Sequence, residues 1–336
     1  MKKVKNKIII IFYKNFEYLD KFLQNIFSNN NEIEFIVINN NGKNFNENYL
    51  KKKFKEIKCI NLPDNLGFGY SCNLASKIAM GKNLLFINYD SIVSKKTINS
   101  FFNEYYSVVN KTRLLVNVKS RNQTGALTHL GKYLTMDFMG FPGLTKKKNR
   151  NFYCEGSFLY LSKKSYEYIG GFDYRFFMYV EDVDLSWRAH LYGYKIKSIE
   201  NYNFLHFSGG SSDDQDILNN NNGPIVSILR RDSVEKSTLR MILKNYSFLS
   251  LLFILPIYVL MSLIEALFFL SIGQINYSKV IFFAYLWNLM NLKSTFIERK
   301  KIQTKRIKND IFILKKTNYF PNKIYDFLNK GFPKFY

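Results

Sequence analysis

The strongest constraint on the fold is the alternation of short apolar runs with helical repeats through the first ninety residues. Residues 7–13 are almost wholly apolar around Ile8-Ile9-Ile10-Ile11-Phe12, the pattern of a strand buried on both faces. Phe16, Leu19, Phe22, Leu23, Ile26 and Phe27 then recur at helical spacing. Residues 34–38, 58–62 and 84–87 predict three more strands, and residues 68–80 a helix of small side chains. Alternation at this interval predicts a parallel α/β sheet. Ligands of such sheets bind beyond the carboxyl ends of the strands, so chemistry is expected in the turns after Tyr13, Ile38, Leu62 and Ile87.

The pattern is mixed from about residue 112 to residue 207. It predicts strands at 114–118 and 152–161, a Gly-rich hairpin region at 125–143, a helix starting near Glu181 and a flexible loop at 208–223. Beyond about residue 230 the composition changes. Residues 245–272 contain no Lys or Arg and one acid, Glu265, and are long enough to cross a bilayer, with Pro256 expected to interrupt them. A second apolar stretch at 280–292 carries Tyr285, Trp287 and Asn288. Arg230, Arg231, Lys236, Arg240 and Lys244 precede these stretches, and a basic run from Lys293 to Arg306 follows. A single crossing would place that run opposite the catalytic part, against the positive-inside tendency. A hairpin turning near Gly273, or two interfacial helices, keeps both on one side. The expected division is a catalytic domain over 1–226 and a helical, basic, membrane-associating region over 227–336. A cut near Ser227 is expected to release a soluble protein that still binds nucleotide.

The chain of 336 residues has 49 Lys and Arg against 26 acidic residues, a net charge of +23, which calls for an anionic partner. An anionic membrane surface and a phosphorylated substrate meet that demand. No helix-turn-helix, zinc or aromatic RNA-binding motif points to nucleic acid. A non-catalytic basic protein binding membrane or nucleic acid is the alternative, and net charge alone speaks for it. Cys59, Cys72 and Cys154 include no Cys-x-x-Cys pair, which argues against a disulfide framework or structural zinc and fits a reducing cytosol. The basic start is followed by an apolar run too short for a signal peptide.

Three places carry chemistry. Between Gly170 and His190, a Gly-Gly turn and an aromatic run precede Glu181, Asp182 and Asp184 at a predicted helix N-terminus. The helix dipole favours ionised carboxylates there, as a general base requires. Asn88-Tyr89-Asp90 ends the fourth strand, so side chains at i and i+2 share a direction. One carboxylate among oxygen ligands suits Mg²⁺ or Mn²⁺ bound mainly through a substrate diphosphate. His206, placed after the acidic helix and before a Gly-Ser segment, is a candidate further metal ligand. The loop over 64–73, with Gly67 and Gly69, is not the dinucleotide fingerprint.

Tyr13, Asn39-Asn40, Asn65-Leu-Gly-Phe-Gly69 with Asn73, and Asn88-Tyr-Asp90 occur in this order. Glu155-Gly156-Ser157, Gly170-Gly-Phe-Asp173, Phe177-Met-Tyr179, Glu181-Asp182-Val-Asp184-Leu185 and His206 with Gly209-Gly210 follow. Over about residues 7–210 the whole resembles bacterial family-2 inverting glycosyltransferases of the GT-A fold, in the rhamnosyl- and galactofuranosyltransferase branch. The resemblance implies an α/β, Rossmann-like GT-A domain followed by a membrane-associated helical region. It implies that Tyr13, Asn39, Asn65, Gly67, Asn73, Asn88 and Asp90 hold the nucleotide sugar, and that Asp90 and His206 hold Mg²⁺ or Mn²⁺. Asp182 would be the base, with Glu181 the alternative, and Glu155, Gly156, Trp187 and Arg188 would meet the acceptor. The reaction implied moves a sugar, L-rhamnose from dTDP-rhamnose foremost, to a lipid-linked (polyprenyl diphosphate) glycan in O-antigen or capsule synthesis. The setting implied is the cytoplasmic face of the bacterial inner membrane. UDP-galactofuranose, UDP-hexose and UDP-N-acetylhexosamine are alternative donors. The family commonly has Asp where this chain has Asn39, and many relatives have Asp at Asn88. The processive Gln-x-x-Arg-Trp motif is absent, since Trp187-Arg188 runs in the reverse order, which favours addition of one or a few sugars.

Overall fold

The computed structural model describes residues 5–28, 32–121, 132–207 and 227–330. The predicted loop at 208–223, the Gly209-Gly210 pair and the first part of the 125–143 hairpin region lie outside the described residues. The chain forms two compact units that interleave in sequence. One is Met1–Gly131, Cys154–Phe177 and Tyr194–Gln215; the other is Lys132–Tyr153, Met178–Gly193 and Asp216–Tyr336. The boundary expected at residue 226 therefore does not separate the units, because the helix bearing Glu181 and Asp182 belongs with the C-terminal helices.

The first unit begins with β1 (Asn6–Phe12), α1 (Phe16–Ile26), β2 (Ile33–Asn39), α2 (Glu47–Lys53) and β3 (Lys58–Asn61). It continues with α3 (Phe68–Ile78), β4 (Asn83–Ile87), β5 (Ser91–Ile92), α4 (Lys95–Lys111) and β6 (Leu114–Val118). The chain then enters the second unit for β7 (Tyr133–Met136) and β8 (Pro142–Thr145), and returns for β9 (Phe158–Ser162) and α5 (Lys163–Ile169). Helix α6 (Glu181–Leu191) is again in the second unit, and β10 (Lys195–Ile199) and β11 (Leu205–His206) are in the first.

Among the described residues of the first unit, seven strands form one sheet in the order β10-β6-β9-β4-β1-β2-β3. The sheet is mixed rather than wholly parallel, because β9 runs antiparallel to β4 and β6. Of the strand expected at 152–161, only the second half joins it; Phe152 N–H instead donates to Leu134 O in the second unit (2.7 Å). Strand β1 sits at the topological switch, with β2 and β3 on one side and β4 on the other. Its Ile8, Ile10 and Phe12 pack with Leu19, Phe22, Leu23 and Ile26 of α1. Ile9 points to the opposite face. Each buried side chain of this size stabilises the fold by about 1.5–3 kcal/mol. The switch leaves the carboxyl ends of β1, β2 and β4 side by side.

The second unit holds the antiparallel β7–β8 pair, α6, and α7 (Ile228–Asn245), α8 (Phe248–Ser271), α9 (Ile275–Met290), α10 (Leu292–Lys305), α11 (Asp310–Leu314) and α12 (Asn322–Lys330). Helix α8 runs through Pro256 without the expected interruption. Buried Ile254, Tyr258 and Ser262 hold it on both sides of that residue. The chain turns back from α8 to α9 at Gly273, whose φ of +75° favours glycine. Among the described residues α8 is the single helix long and apolar enough by itself to cross a membrane, and α9 with α10 reaches that length only as a pair bent by 69°.

The second unit's core is organised around Asp184, which is fully buried. Its carboxylate accepts from Arg188 Nε (3.0 Å), Lys244 Nζ (2.9 Å) and Asn245 Nδ2 (2.9 Å), tying α6 to the end of α7. Carbonyls at that end of α7 are satisfied by Arg299 and Gln303 of α10. Arg240 is also fully buried and donates to Thr295 (2.6 Å). Arg240 and Lys244, expected to face lipid headgroups, are thus internal: Lys244 pairs with Asp184, and Arg240 donates to the Ser294 and Thr295 hydroxyls. A chain cut near Ser227 would strip α6 of Lys244 and Asn245, so loss of α6 replaces the soluble fragment expected from sequence. Removing one partner from a buried charge cluster costs about 3–5 kcal/mol. Asp184→Ala should therefore lower stability by that amount in urea unfolding followed by circular dichroism; an unchanged midpoint would contradict the role of the clamp.

Candidate active site

Three strand ends of the first unit carry the residues expected to hold the donor. Tyr89, the central residue of Asn88-Tyr89-Asp90, is buried. Its hydroxyl accepts from Lys14 N–H (3.1 Å) and Tyr13 N–H (3.4 Å) and donates to Lys14 O. The end of β4 and the turn after β1 are therefore held in one register. Strand β11 pairs antiparallel with β5, setting His206 opposite Ser91, and Phe207 N–H donates to Asp90 O (2.9 Å). His206 Nε2 consequently lies 3.3 Å from Asp90 Oδ1 and 3.3 Å from Asn88 Nδ2. Burial disfavours the imidazolium, but the bond and charge of Asp90, with the charge of Glu155, outweigh it and raise the His206 pKa above its usual value. Glu155 thus acts electrostatically on this cluster, and Asn88 N–H donates to Ser157 O beside it (3.1 Å).

The other asparagines act mainly on the backbone. Asn39 donates to Asn61 Oδ1 (2.9 Å) and accepts from Gly42 N–H (2.8 Å), a pairing that uses the amide where the family commonly has a carboxylate. Asn40 and Asn65 clasp the loops after β2 and β3, with Asn40 Nδ2 donating to Asn65 Oδ1 (2.6 Å) and Leu66 N–H to Asn40 Oδ1 (2.9 Å). Gly67 has φ +84°, and a Cβ there would lie 2.2 Å from Phe177 O. It is required by close backbone approach. Asn73 is a correction: Nδ2 donates to Phe172 O (2.8 Å), while Oδ1 accepts from Phe172 N–H (3.0 Å) and Tyr166 (2.6 Å). Its amide fixes the Gly170-Gly171 turn instead of reaching for nucleotide.

In the second unit, Tyr179 and Val180 both have φ of 69°, a conformation uncommon for bulky side chains and typical of functional turns. Helix α6 starts directly after them. Glu181 is buried, and desolvation, with the charges of Asp182 and Asp184, pushes its pKa up to about 8. It is a neutral acid at pH 7. Asp184 is engaged in its clamp, which leaves Asp182 as the partly exposed carboxylate of the three. Asp182 Oδ1 also accepts from Val183 N–H (2.8 Å). Trp187 and Arg188, assigned to the acceptor from sequence, are corrected to core residues. Trp187 is fully buried, edge-on to Tyr246 at 4.6 Å, and Arg188 is paired with Asp184.

The profile of the family described as Glycosyl transferase family 2 matches residues 7–170. Residues 7–170 are thus similar to a family-2 glycosyltransferase domain. A curated relative, the poly-beta-1,6-N-acetyl-D-glucosamine synthase of Staphylococcus aureus (strain COL), is 25% identical over 192 residues, covering 55% of this chain and 45% of that protein. The chain thus spans about half the length of the curated relatives it matches. The crystal structure of GalNAc-T7 with UDP, GalNAc and Mn²⁺ is similar at TM-score 0.53 and 11% identity, over 72% of this chain and 48% of that one. The mannosyltransferase PcManGT from Pyrobaculum calidifontis, in complex with GDP-Man and Mn²⁺, is similar at TM-score 0.51 and 10% identity, over 91% and 86%. At these identities the likeness establishes fold, and that fold is GT-A.

Among the described residues, no group of three or more His, Cys, Asp or Glu side chains assembles around a metal position. Asp90 and His206 lie close enough to supply two ligands and would fit a divalent ion that is held mainly through a diphosphate. Tyr89 and Asn40, quoted within motifs without a role of their own, and Asn61, not singled out from sequence, also shape these turns. A bulky tyrosine between two polar residues at a strand end was the signal for the first. Asp90→Ala and His206→Ala should each weaken Mn²⁺-dependent UDP or dTDP binding on the order of tenfold or more, and unchanged calorimetric affinity would remove them from the site.

Glu181 makes stability depend on pH. Its folded pKa lies above its unfolded value, so between about pH 4.5 and 8 the native state binds the extra proton and stability falls as pH rises. Glu181→Gln should keep the fold and flatten this dependence in urea titrations at the two pH values. An identical slope in both proteins would refute the neutral acid.

Proposed function

We propose that this protein is an inverting glycosyltransferase that takes a sugar from a pyrimidine nucleoside diphosphate and places it on a lipid-linked glycan. The observation that carries this reading is the Asp90–His206 pair, set at the strand ends of a family-2 domain beside the Tyr13 turn. Asp182 takes the proton of the acceptor hydroxyl, and the oxygen attacks the anomeric carbon from the face opposite the nucleotide. The bond to the diphosphate breaks, and the nucleoside diphosphate leaves with its electron pair. A divalent ion held by Asp90 and His206 would neutralise charge on that diphosphate. The reading extends to addition of one or a few sugars to a polyprenyl diphosphate glycan of O-antigen or capsule type. Its setting is the cytoplasmic face of the bacterial inner membrane, supported by the apolar hairpin and exposed basic residues of the second unit.

The donor favoured from sequence is dTDP-L-rhamnose. UDP-N-acetylglucosamine is the second reading, supported by the name of the Staphylococcus aureus relative. A thermal-shift panel of nucleotide sugars with Mn²⁺ tests both, since a ligand bound to the native state raises apparent stability. Asp182→Asn should retain that shift while transfer to a lipid-linked acceptor falls on the order of a thousandfold or more. Near-normal turnover by Asp182→Asn would sink the assignment of the base.

A further inference from the structure

We propose that the α8–α9 hairpin lies along an anionic bilayer leaflet, with its apolar side sunk among the acyl chains and no crossing. The inference rests on the membrane setting proposed above and fixes the orientation within it. Ile254, Tyr258, Ser262 and Phe269 form a buried stripe down α8. Leu252, Phe253, Leu260, Leu263 and Leu267 lie away from it, from 54% to 68% exposed. On α9, Phe282 is 65% and Met290 78% exposed. Large side chains exposed along two adjacent helices exceed what soluble monomers leave in water.

The buried stripe forbids a crossing, because charge lies along it. At the start of α8, Ser247 N–H and Ser250 Oγ donate to Asp310 Oδ2 (2.8 and 2.7 Å). Towards its end, Glu265 accepts from Arg231 (2.5 Å) and Lys323 (2.8 Å). From Ser250 to Glu265 is 15 residues (265 − 250), or about 22 Å of helix, against roughly 30 Å of bilayer hydrocarbon. Helix α7 runs antiparallel beside this segment: Glu235 meets Tyr258 (3.5 Å), and Arg231, one turn earlier, meets Glu265. A helix bearing Arg230, Arg231, Asp232, Glu235 and Lys236 does not enter hydrocarbon. One side of α8 therefore needs a polar environment and the other an apolar one over the same length. Only the plane of a membrane interface supplies both.

The charge pattern selects anionic lipid. On α10, exposed Phe296 and Ile297 are bracketed by exposed Lys293 and Lys300, three residues before the first and three after the second. Apolar side chains can enter the acyl region there while the ammonium groups reach headgroup phosphates. Self-association through the same face would set these lysines against their own counterparts, which disfavours a second copy as occupant.

The full-length protein should float with phosphatidylcholine vesicles containing phosphatidylglycerol at least tenfold more than with phosphatidylcholine alone. Spin labels at Leu252→Cys, Leu260→Cys and Leu267→Cys, in a Cys59→Ser background, should report one shared, shallow depth by oxygen and nickel collision rates. A profile deepest at Leu260, with a label at Gly273→Cys emerging on the far side, overturns the in-plane arrangement and leaves membrane binding intact. Equal binding to both vesicles overturns the choice of anionic lipid. A protein that binds neither, or that buries the face in a discrete dimer, overturns the membrane setting as well.

Discussion

One buried carboxylate organises α6, the helix that carries Asp182. Asp184 lies two positions after Asp182, and its three donors come from α6 itself and from the last turn of α7. A carboxylate that deep is stable only when paired and fully hydrogen-bonded, so α6 and α7 fold as one piece. Arg299 and Gln303 close the exposed carbonyls of α7 from α10. Helices α7 and α10 are consequently part of the scaffold that holds Asp182 in place. The same burial separates the neighbouring acids chemically: Glu181 is held neutral by desolvation, and Asp182 keeps access to solvent.

The donor side depends on a different device. A sheet whose strand order reverses at β1 leaves three strand ends adjacent, and this is where α/β folds receive ligands. Tyr89 fastens two of those ends, and the β5–β11 pairing brings in His206 from 118 residues beyond Asn88. The asparagines around them are staples for backbone. Loops that must approach a diphosphate closely need rigid turns, and short amides supply these without adding charge.

Much of this was legible in the sequence. The strand at 114–118 was read to the residue, and β1, β2 and β4 to within a residue at each end, because continuous apolar runs are dictated by burial on both faces. The turn at Gly273 followed from a glycine between two apolar stretches. What was not legible depends on partners distant in sequence. Nothing local distinguishes Arg240 and Lys244 from surface charges, or Trp187 from an exposed aromatic platform, until α7 and Tyr246 are packed against them. Likewise β9 reads as any apolar strand, and only its neighbours make it antiparallel. Asn73 matches a ligand pattern by type and spacing, yet its amide is consumed by Phe172 and Tyr166. Asp90 stands out in the sequence by its place at a strand end and His206 by its place after the acidic helix, and the structure sets the two 3.3 Å apart.

The central claim is that Asp182 deprotonates an acceptor for single, direct displacement of the nucleotide. The measurement that tests it most directly is the anomeric configuration of the transferred sugar, read by NMR from the anomeric carbon–proton coupling of the purified product. The account predicts a configuration opposite to that in the donor nucleotide. Retention of the donor's configuration would contradict it.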